Sequence, residues 1–170
     1  MTATSAAGCR AKTLDITRVF KAPRARVWQA WTTADDLENW WGPKGCKLNV
    51  ADMDFRPGGF FHYEMKFTNT PSMWGRFMYR EIINGSRIVW LNSFANERGG
   101  IARAPFAADF PLEVHNTVTF ANSDGSTIVA LQSLPFGATD GEIQAFEAIY
   151  DNMIKGYGAT LDQLEAYLAS

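Results

Sequence analysis

Two histidines, His62 and His115, are the side chains best suited to proton transfer near neutral pH in this sequence. His62 alternates with apolar Phe61 and Tyr63, which predicts an outward-facing strand position. His115 lies between Glu113 and Asn116 at the end of a long irregular segment. Beside a cavity its neutral imidazole would serve as a general base; otherwise it is a surface or hydrogen-bonded strand histidine. Asp52 and Asp54 are two residues apart on one strand face, at about 6.5–7 Å between Cα atoms, so they imitate a catalytic carboxylate pair. The plainer reading is a solvated strand face. Arg56 is expected to pair with Glu81 and pin neighbouring strands, with an exposed arginine as the alternative. No matched acid–base pair or nucleophile with a base stands out, so no catalytic residue is assigned.

Other chemistries find little support. Cys9 and Cys46 are the only cysteines, and no CxxC or Cys/His cluster suggests a metal site. A single Cys9–Cys46 disulfide stays open. Arg56-Pro57-Gly58-Gly59 reads as a type II turn, and Glu97-Arg98-Gly99-Gly100 lacks the strand-to-helix setting of a phosphate loop. Neither GxSxG nor HExxH occurs. No metal or cofactor is therefore expected.

The elements that must position these residues are read from pattern. The 170 residues fit one domain, expected over 14–170 behind a disordered tail at 1–13. Leu14–Lys21 alternates as a first strand. Pro23 opens a short helix at its first helical position, with Val27, Trp28, Ala30 and Trp31 as its apolar stripe. Thr33 and Asp36 mark a second helix start, carrying Leu37, Trp40 and Trp41 up to Gly42-Pro43. Strand cues follow as far as Ser133, with Asn84-Gly85 between Met78–Ile83 and Arg87–Phe94, and Asn122–Ser126 between Val114–Phe120 and Thr127–Ser133. The short spacings predict an antiparallel meander. Asn69–Ser72 is a turn, and Asn96–Pro111 is a long loop, a candidate lid or cavity rim. From Thr139, with a capping box to Glu142, one amphipathic helix of about 45 Å is expected, weakened at Gly156 and Gly158 by close packing or a kink.

This order predicts an α+β fold: a curved antiparallel sheet around a long C-terminal helix, with two short helices after the first strand. A gap between sheet and helix would take a ligand. Its candidate walls are Trp40 and Trp41; Phe61, Tyr63 and Met65 on one strand; Trp90, Asn92 and Phe94 on another; Tyr150, Met153 and Tyr157 on the helix; and His115 near the mouth. Each is equally readable as ordinary core. Aromatic residues reach 14%, which suits an aromatic-lined pocket for a small apolar molecule. The net charge of −2 and absence of basic runs argue against nucleic acid and anionic membrane surfaces. No apolar run approaches the ~18 residues of a membrane span, so no membrane insertion is expected and a cytoplasmic location is. Self-association into a homodimer stays open.

Several segments resemble a known family. Phe20-Lys21-Ala22-Pro23-Arg24 with Val27-Trp28-Gln29-Ala30-Trp31-Thr32 is similar to the opening of proteins related to the C-terminal domain of the activator of heat-shock-protein-90 ATPase, within the START-like (SRPBCC, helix-grip) superfamily. Trp40-Trp41-Gly42-Pro43, Asp54-Phe55-Arg56-Pro57-Gly58-Gly59, Tyr79-Arg80-Glu81-Ile82 and the final helix, with Gly156-Tyr157 and Leu161 to Leu168, follow in the family's order. Two features depart from it: Asn84-Gly85-Ser86-Arg87 replaces a Pro-Pro-Glu-Arg turn, and the Asn96–Pro111 loop is longer and more apolar. The resemblance implies a mostly apolar cavity between sheet and helix. It also implies binding of a small apolar or aromatic molecule rather than catalysis, with a polyketide cyclase or aromatase activity and a protein-interaction module as alternatives. Co-chaperone activity in the family belongs to longer proteins, so the family name is not read as a chaperone role.

Overall fold

The structure, a computed structural model, describes residues 12–170. The chain runs β1 (Leu14–Phe20), α1 (Arg24–Thr32), α2 (Ala34–Trp40), β2 (Lys47–Asp54), β3 (Phe60–Lys66), β4 (Met73–Ile83) and β5 (Arg87–Ala95). It continues through β6 (Ile101–Ala102), β7 (Glu113–Ser123), β8 (Ser126–Phe136), α3 (Asp140–Ala148) and α4 (Tyr150–Ala169). The strands form one antiparallel sheet in the order β1-β8-β7-β5-β4-β3-β2, with β6 added to β5. Register shifts at Val50/Asp52 and Tyr79/Glu81 mark irregularities that bend the pleat and increase its twist, helping the sheet to curve around a helix. Asp124 and Gly125 both take positive φ between β7 and β8, which two-residue hairpins of matching twist require.

One face of the sheet carries the core. Trp31 and Trp40 meet edge to face at 4.8 Å between ring centroids, and Phe77 stacks on Trp90 at 4.9 Å. The indole N–H of Trp40 donates to the Ala30 carbonyl at 2.8 Å, so this buried ring leaves no polar atom unsatisfied. A second cluster joins Leu14, Val114 and Phe146.

The helices differ from expectation in two ways. Pro23 is the N-cap of α1 rather than its first helical residue; its ψ of 147° is extended. The single long C-terminal helix is two helices, broken at Ile149 (φ −107°, ψ 15°). Gly156 and Gly158 lie inside α4, and a Cβ added at Gly156 would meet nothing within 4 Å. The second cluster spans the break, with Tyr150, Met153, Ile154 and Tyr157 of α4 also packed against it. α3 buries Phe146 in the second cluster, whereas α4 buries Leu161 and Leu164 in the main one.

A buried carboxylate ties α1, α2 and α4 together. Thr33 caps α2 by accepting from the Asp36 N–H at 3.4 Å, and Asp36 accepts from the Thr33 hydroxyl at 2.6 Å. Asp36 also accepts from the Tyr167 hydroxyl and, at 3.3 Å, from the Arg26 guanidinium. Burial opposes the Asp36 charge, but these bonds and the Arg26 charge outweigh it and hold the carboxyl below its ordinary value of 3.8. Asp36→Ala should cost about 1–3 kcal/mol of unfolding free energy by urea denaturation. Because the folded carboxyl is depressed, this contribution is full above pH 3.8 and is lost as pH falls below it.

Candidate functional site

Between the sheet and the first half of α4 lies a cavity of about 340 Å³. Its roof is Met153, Gly156 and Tyr157 of α4 with Phe146 of α3. Tyr63 and Met65 of β3, Met73 and Gly75 of β4, and Asn92 and Phe94 of β5 make the floor, continued by Val114 and Ser133. Trp41 to Pro43 close one side, and Phe106, Phe110 and Pro111 form a rim. Gly75 is needed here: an added Cβ would sit 2.5 Å from the Tyr63 ring, so glycine lets that ring lie across β4.

Of the residues expected to line a ligand site, Trp41, Tyr63, Met65, Asn92, Phe94, Met153 and Tyr157 lie on these walls. Trp40, Phe61 and Trp90 do not: they are sealed in the aromatic core at 1%, 0% and 2% exposure. They share a sheet or helix face with the cavity residues, but at the end of the fold that the tryptophans fill. Tyr150 lies off the cavity, with the Lys12 ammonium 3.9 Å above its ring. Lys12 N–H also donates to Glu147, so the end of the supposed tail is held against α3; residues 1–11, with Cys9, lie outside the described residues. Cys46 is a free, half-buried thiol.

His115 faces away from the cavity. Its β7 neighbours Val114 and Asn116 are buried on the concave side, so odd-numbered His115 points to the convex side, stacked on Phe136. It cannot be a general base for anything bound under α4. His62 is also on the convex side but is covered, contrary to expectation. Its exposure is 7%, its ring stacks on Trp74 at 4.9 Å, and its Nε2 lies 3.0 Å from the Asn96 carbonyl. Arg76 donates to the Gly99 carbonyl at 2.8 Å, so both side chains clamp the 96–100 turn onto the sheet.

The start of the expected loop is thus fixed, and β6 pairs with β5; only its later part reaches the cavity. There Phe106 is 64% exposed, with its ring edge-on to Phe94 at 5.4 Å. The expected Arg56–Glu81 pair does not form. Arg56 bonds to Asp54 at 2.6 Å, and Glu81 pairs with Arg87 at 3.1 Å across the β4–β5 hairpin. With Asp54 taken by Arg56 and Asp52 exposed, accepting from the Met53 N–H, the two carboxylates do not act as a pair.

Sequence reasoning missed Met73 and Gly75, though the alternation Met73, Gly75, Phe77, Tyr79 marks their face. Ser133 and Phe146 carried no comparable signal, whereas Phe106, Phe110 and Pro111 fall in the loop expected as a lid or cavity rim.

The cavity is electrically quiet. Its walls hold no Asp, Glu, Lys, Arg or His among the described residues. Burial pushes the Tyr63 and Tyr157 phenols up, so both stay neutral at ordinary pH. The Ser133 hydroxyl donates to Asn116, whose amide donates to the Val114 carbonyl at 3.1 Å. The Thr160 hydroxyl is committed to backbone carbonyls of Gly42 and Gly156. The Asn92 carboxamide oxygen is buried without any partner. No group of three or more metal-ligating side chains occurs among the described residues, and no helix is long and apolar enough to cross a membrane.

A strongly bent antiparallel sheet gripping a C-terminal helix, with a void beneath that helix, defines the helix-grip class of START-like proteins. Within that class the chain belongs to the family described as activator of Hsp90 ATPase homolog 1-like proteins, whose model matches residues 21–169. A protein of Mycobacterium smegmatis is similar at 28% identity over 94% of this chain and 92% of that one, with a TM-score of 0.74. A protein of Arthrobacter aurescens has 24% identity, coverage of 94% and 87%, and a TM-score of 0.78. A family member from Silicibacter pomeroyi retains the fold at 14% identity, with coverage of 93% and 98% and a TM-score of 0.69. No curated protein matches the sequence.

The convex position of His115 has a measurable consequence. Burial first, then the Arg80 and Arg87 charges, hold its imidazole below the ordinary 6.5. The folded state therefore binds this proton less readily than the unfolded chain. Its contribution is full above pH 6.5 and is lost as pH falls from there towards the folded value. Urea unfolding at about pH 7.5 and about pH 5.5 should show a smaller loss on acidification in His115→Gln than in the parent.

Proposed function

We propose that this chain holds one small, mostly apolar molecule beneath α4 and carries out no reaction on it. The observation that carries this reading is the void itself: an apolar-walled space remains where the long helix crosses the sheet. Its 340 Å³ falls at the lower end of the roughly 300–1,000 Å³ typical of small-molecule sites. Each 100 Å² of apolar ligand surface removed from water there contributes about 2.5 kcal/mol, which is enough to drive binding without a charged anchor.

A cyclase or aromatase reading needs a general base in the cavity, and its candidate, His115, stands on the other face. The protein-interaction alternative has no specific observation in its favour. The bound partner on this reading is a small apolar or aromatic molecule, residues 14–170 act as one ligand-holding domain, and the protein works in the cytoplasm.

Native mass spectrometry of the freshly purified chain, with solvent extraction of what it carries, tests this directly. Titration with the neutral dye N-phenyl-1-naphthylamine should give saturable fluorescence enhancement at one site. Met153→Trp, which fills the roof, should weaken the dye by at least about tenfold while unfolding stays cooperative. Failure to carry any apolar compound, together with no saturable dye binding, would remove the reading.

A further inference from the structure

Resting on that reading, we propose that the molecule held is an uncharged ring compound bearing a hydroxyl group, which hydrogen-bonds to the Asn92 carboxamide.

Charge decides the first part. A ligand enclosed under α4 gives up much of its water. An ion that does so is strongly penalised unless the site supplies an opposite charge or several directed dipoles. The walls supply no charged side chain, and both lining phenols are neutral. A carboxylate, phosphate or ammonium would therefore enter unpartnered. The ring follows from the walls: Trp41, Tyr63, Phe94, Phe106 and Phe110 offer aromatic faces and edges around one space.

The hydroxyl follows from Asn92. Trp90, Asn92 and Phe94 share the inward side of β5, and Asn92 is opposed across the ladders by Phe77 on β4 and Val114 on β7. A valine or leucine would satisfy the strand and the packing at this position, whereas asparagine is disfavoured in strands. Its Oδ1 is buried and without a partner, a costly condition for an amide oxygen. Trp31 Nε1, Tyr79 Oη and Trp90 Nε1 are likewise orphaned, but those side chains lie in the sealed core. Asn92 alone of these lines the cavity. The Ser133 and Thr160 hydroxyls already have hydrogen-bond partners, so Asn92 is the lining side chain with a bonding deficit for a ligand to remove. A hydroxyl both donates and accepts, so it can pair with whichever end of the carboxamide is turned to the cavity, and a turn of the amide that brings Oδ1 to its proton removes the penalty and orients the ring.

Three probes of one shape separate the possibilities: 2-naphthol, 2-methylnaphthalene and 2-naphthoate. They are titrated calorimetrically at neutral pH into the full chain and into Asn92→Leu, a near-isosteric change that removes an unsatisfied polar atom and should leave the fold intact. The affinity ratio of 2-naphthol to 2-methylnaphthalene should fall about tenfold in Asn92→Leu. The parent should bind 2-naphthoate at least about 100-fold more weakly than 2-naphthol. A ratio unchanged within about twofold would mean that water satisfies Asn92 or that the ligand does not reach it, and would overturn the proposal. Comparable binding of 2-naphthoate and 2-naphthol would overturn the requirement for neutrality. If neither neutral probe binds either protein, the cavity reading itself falls; retained binding of 2-methylnaphthalene with no dependence on residue 92 removes only this inference.

Discussion

The grip on α4 is what the rest of the structure depends on, and it acts at one end of the helix only. The Thr160 hydroxyl and the Gln163 amide both donate to the Gly42 carbonyl, at 3.0 and 2.9 Å, and Gln163 also donates to the Trp40 carbonyl at 3.0 Å. One turn further on, Tyr167 reaches the buried Asp36. Gly42 can present its carbonyl this way because it takes φ +105°, and a Cβ there would lie 2.8 Å from the Cys46 sulfur. These bonds satisfy carbonyls left over at the end of α2 while fixing the helix to the α2–β2 connection. Leu161 and Leu164 are buried alongside them.

A helix held at its C-terminal half need not touch the sheet along its whole length. The tryptophan-rich end packs solid, with Trp31 against both Trp40 and Trp90, and leaves no room for a guest. Toward the other end Met153 and Tyr157 are only half-buried, and the space beneath them remains open. Sheet curvature makes this geometry reachable; Gly156 above omits a wall, while Gly75 below gives its space to the Tyr63 ring. Stability and capacity are thus divided along the same helix. The clamped end supplies the first, the raised end the second.

Much of this was legible in the chain because strand alternation reports faces directly. Phe61, Tyr63 and Met65 share one face, as do Trp90, Asn92 and Phe94, and the sheet keeps both assignments. Alternation has no information about depth, so Phe61 and Trp90 could not be told from Tyr63 and Asn92. Depth is set by where the tryptophans of α1 and α2 land, a matter of tertiary packing. The orientation of His115 was available, since Val114, Asn116, Val118 and Phe120 form the inward set on β7. The cover over His62 was not, because it comes from a turn more than thirty residues away in sequence. Nor was the break at Ile149, since the apolar stripe runs through it without a proline or glycine at the site. The two glycines that do interrupt the stripe sit inside an unbroken helix with free space around Gly156, so propensity alone was outweighed by packing.

The same division bears on chemistry. Catalysis of proton transfer needs groups whose charge state can change near neutral pH; burial moves carboxyls up and lysines down towards that range, but the walls carry neither among the described residues, and the phenols they do carry are moved further from it. Tyr63 and Tyr157 illustrate the effect: burial that makes them good wall material also fixes them as neutral phenols. His115, whose charge can change near neutral pH, stands on the convex face beside Arg80 and Arg87, with the thickness of the sheet between it and the void. To become an acid–base enzyme, such a protein would have to carry a titratable side chain onto an inward strand position and then provide it with a partner. Asn92 is an inward position where a polar side chain with an unpaired oxygen already stands, and it offers an amide, which orients a guest by hydrogen bonding without exchanging a proton with it.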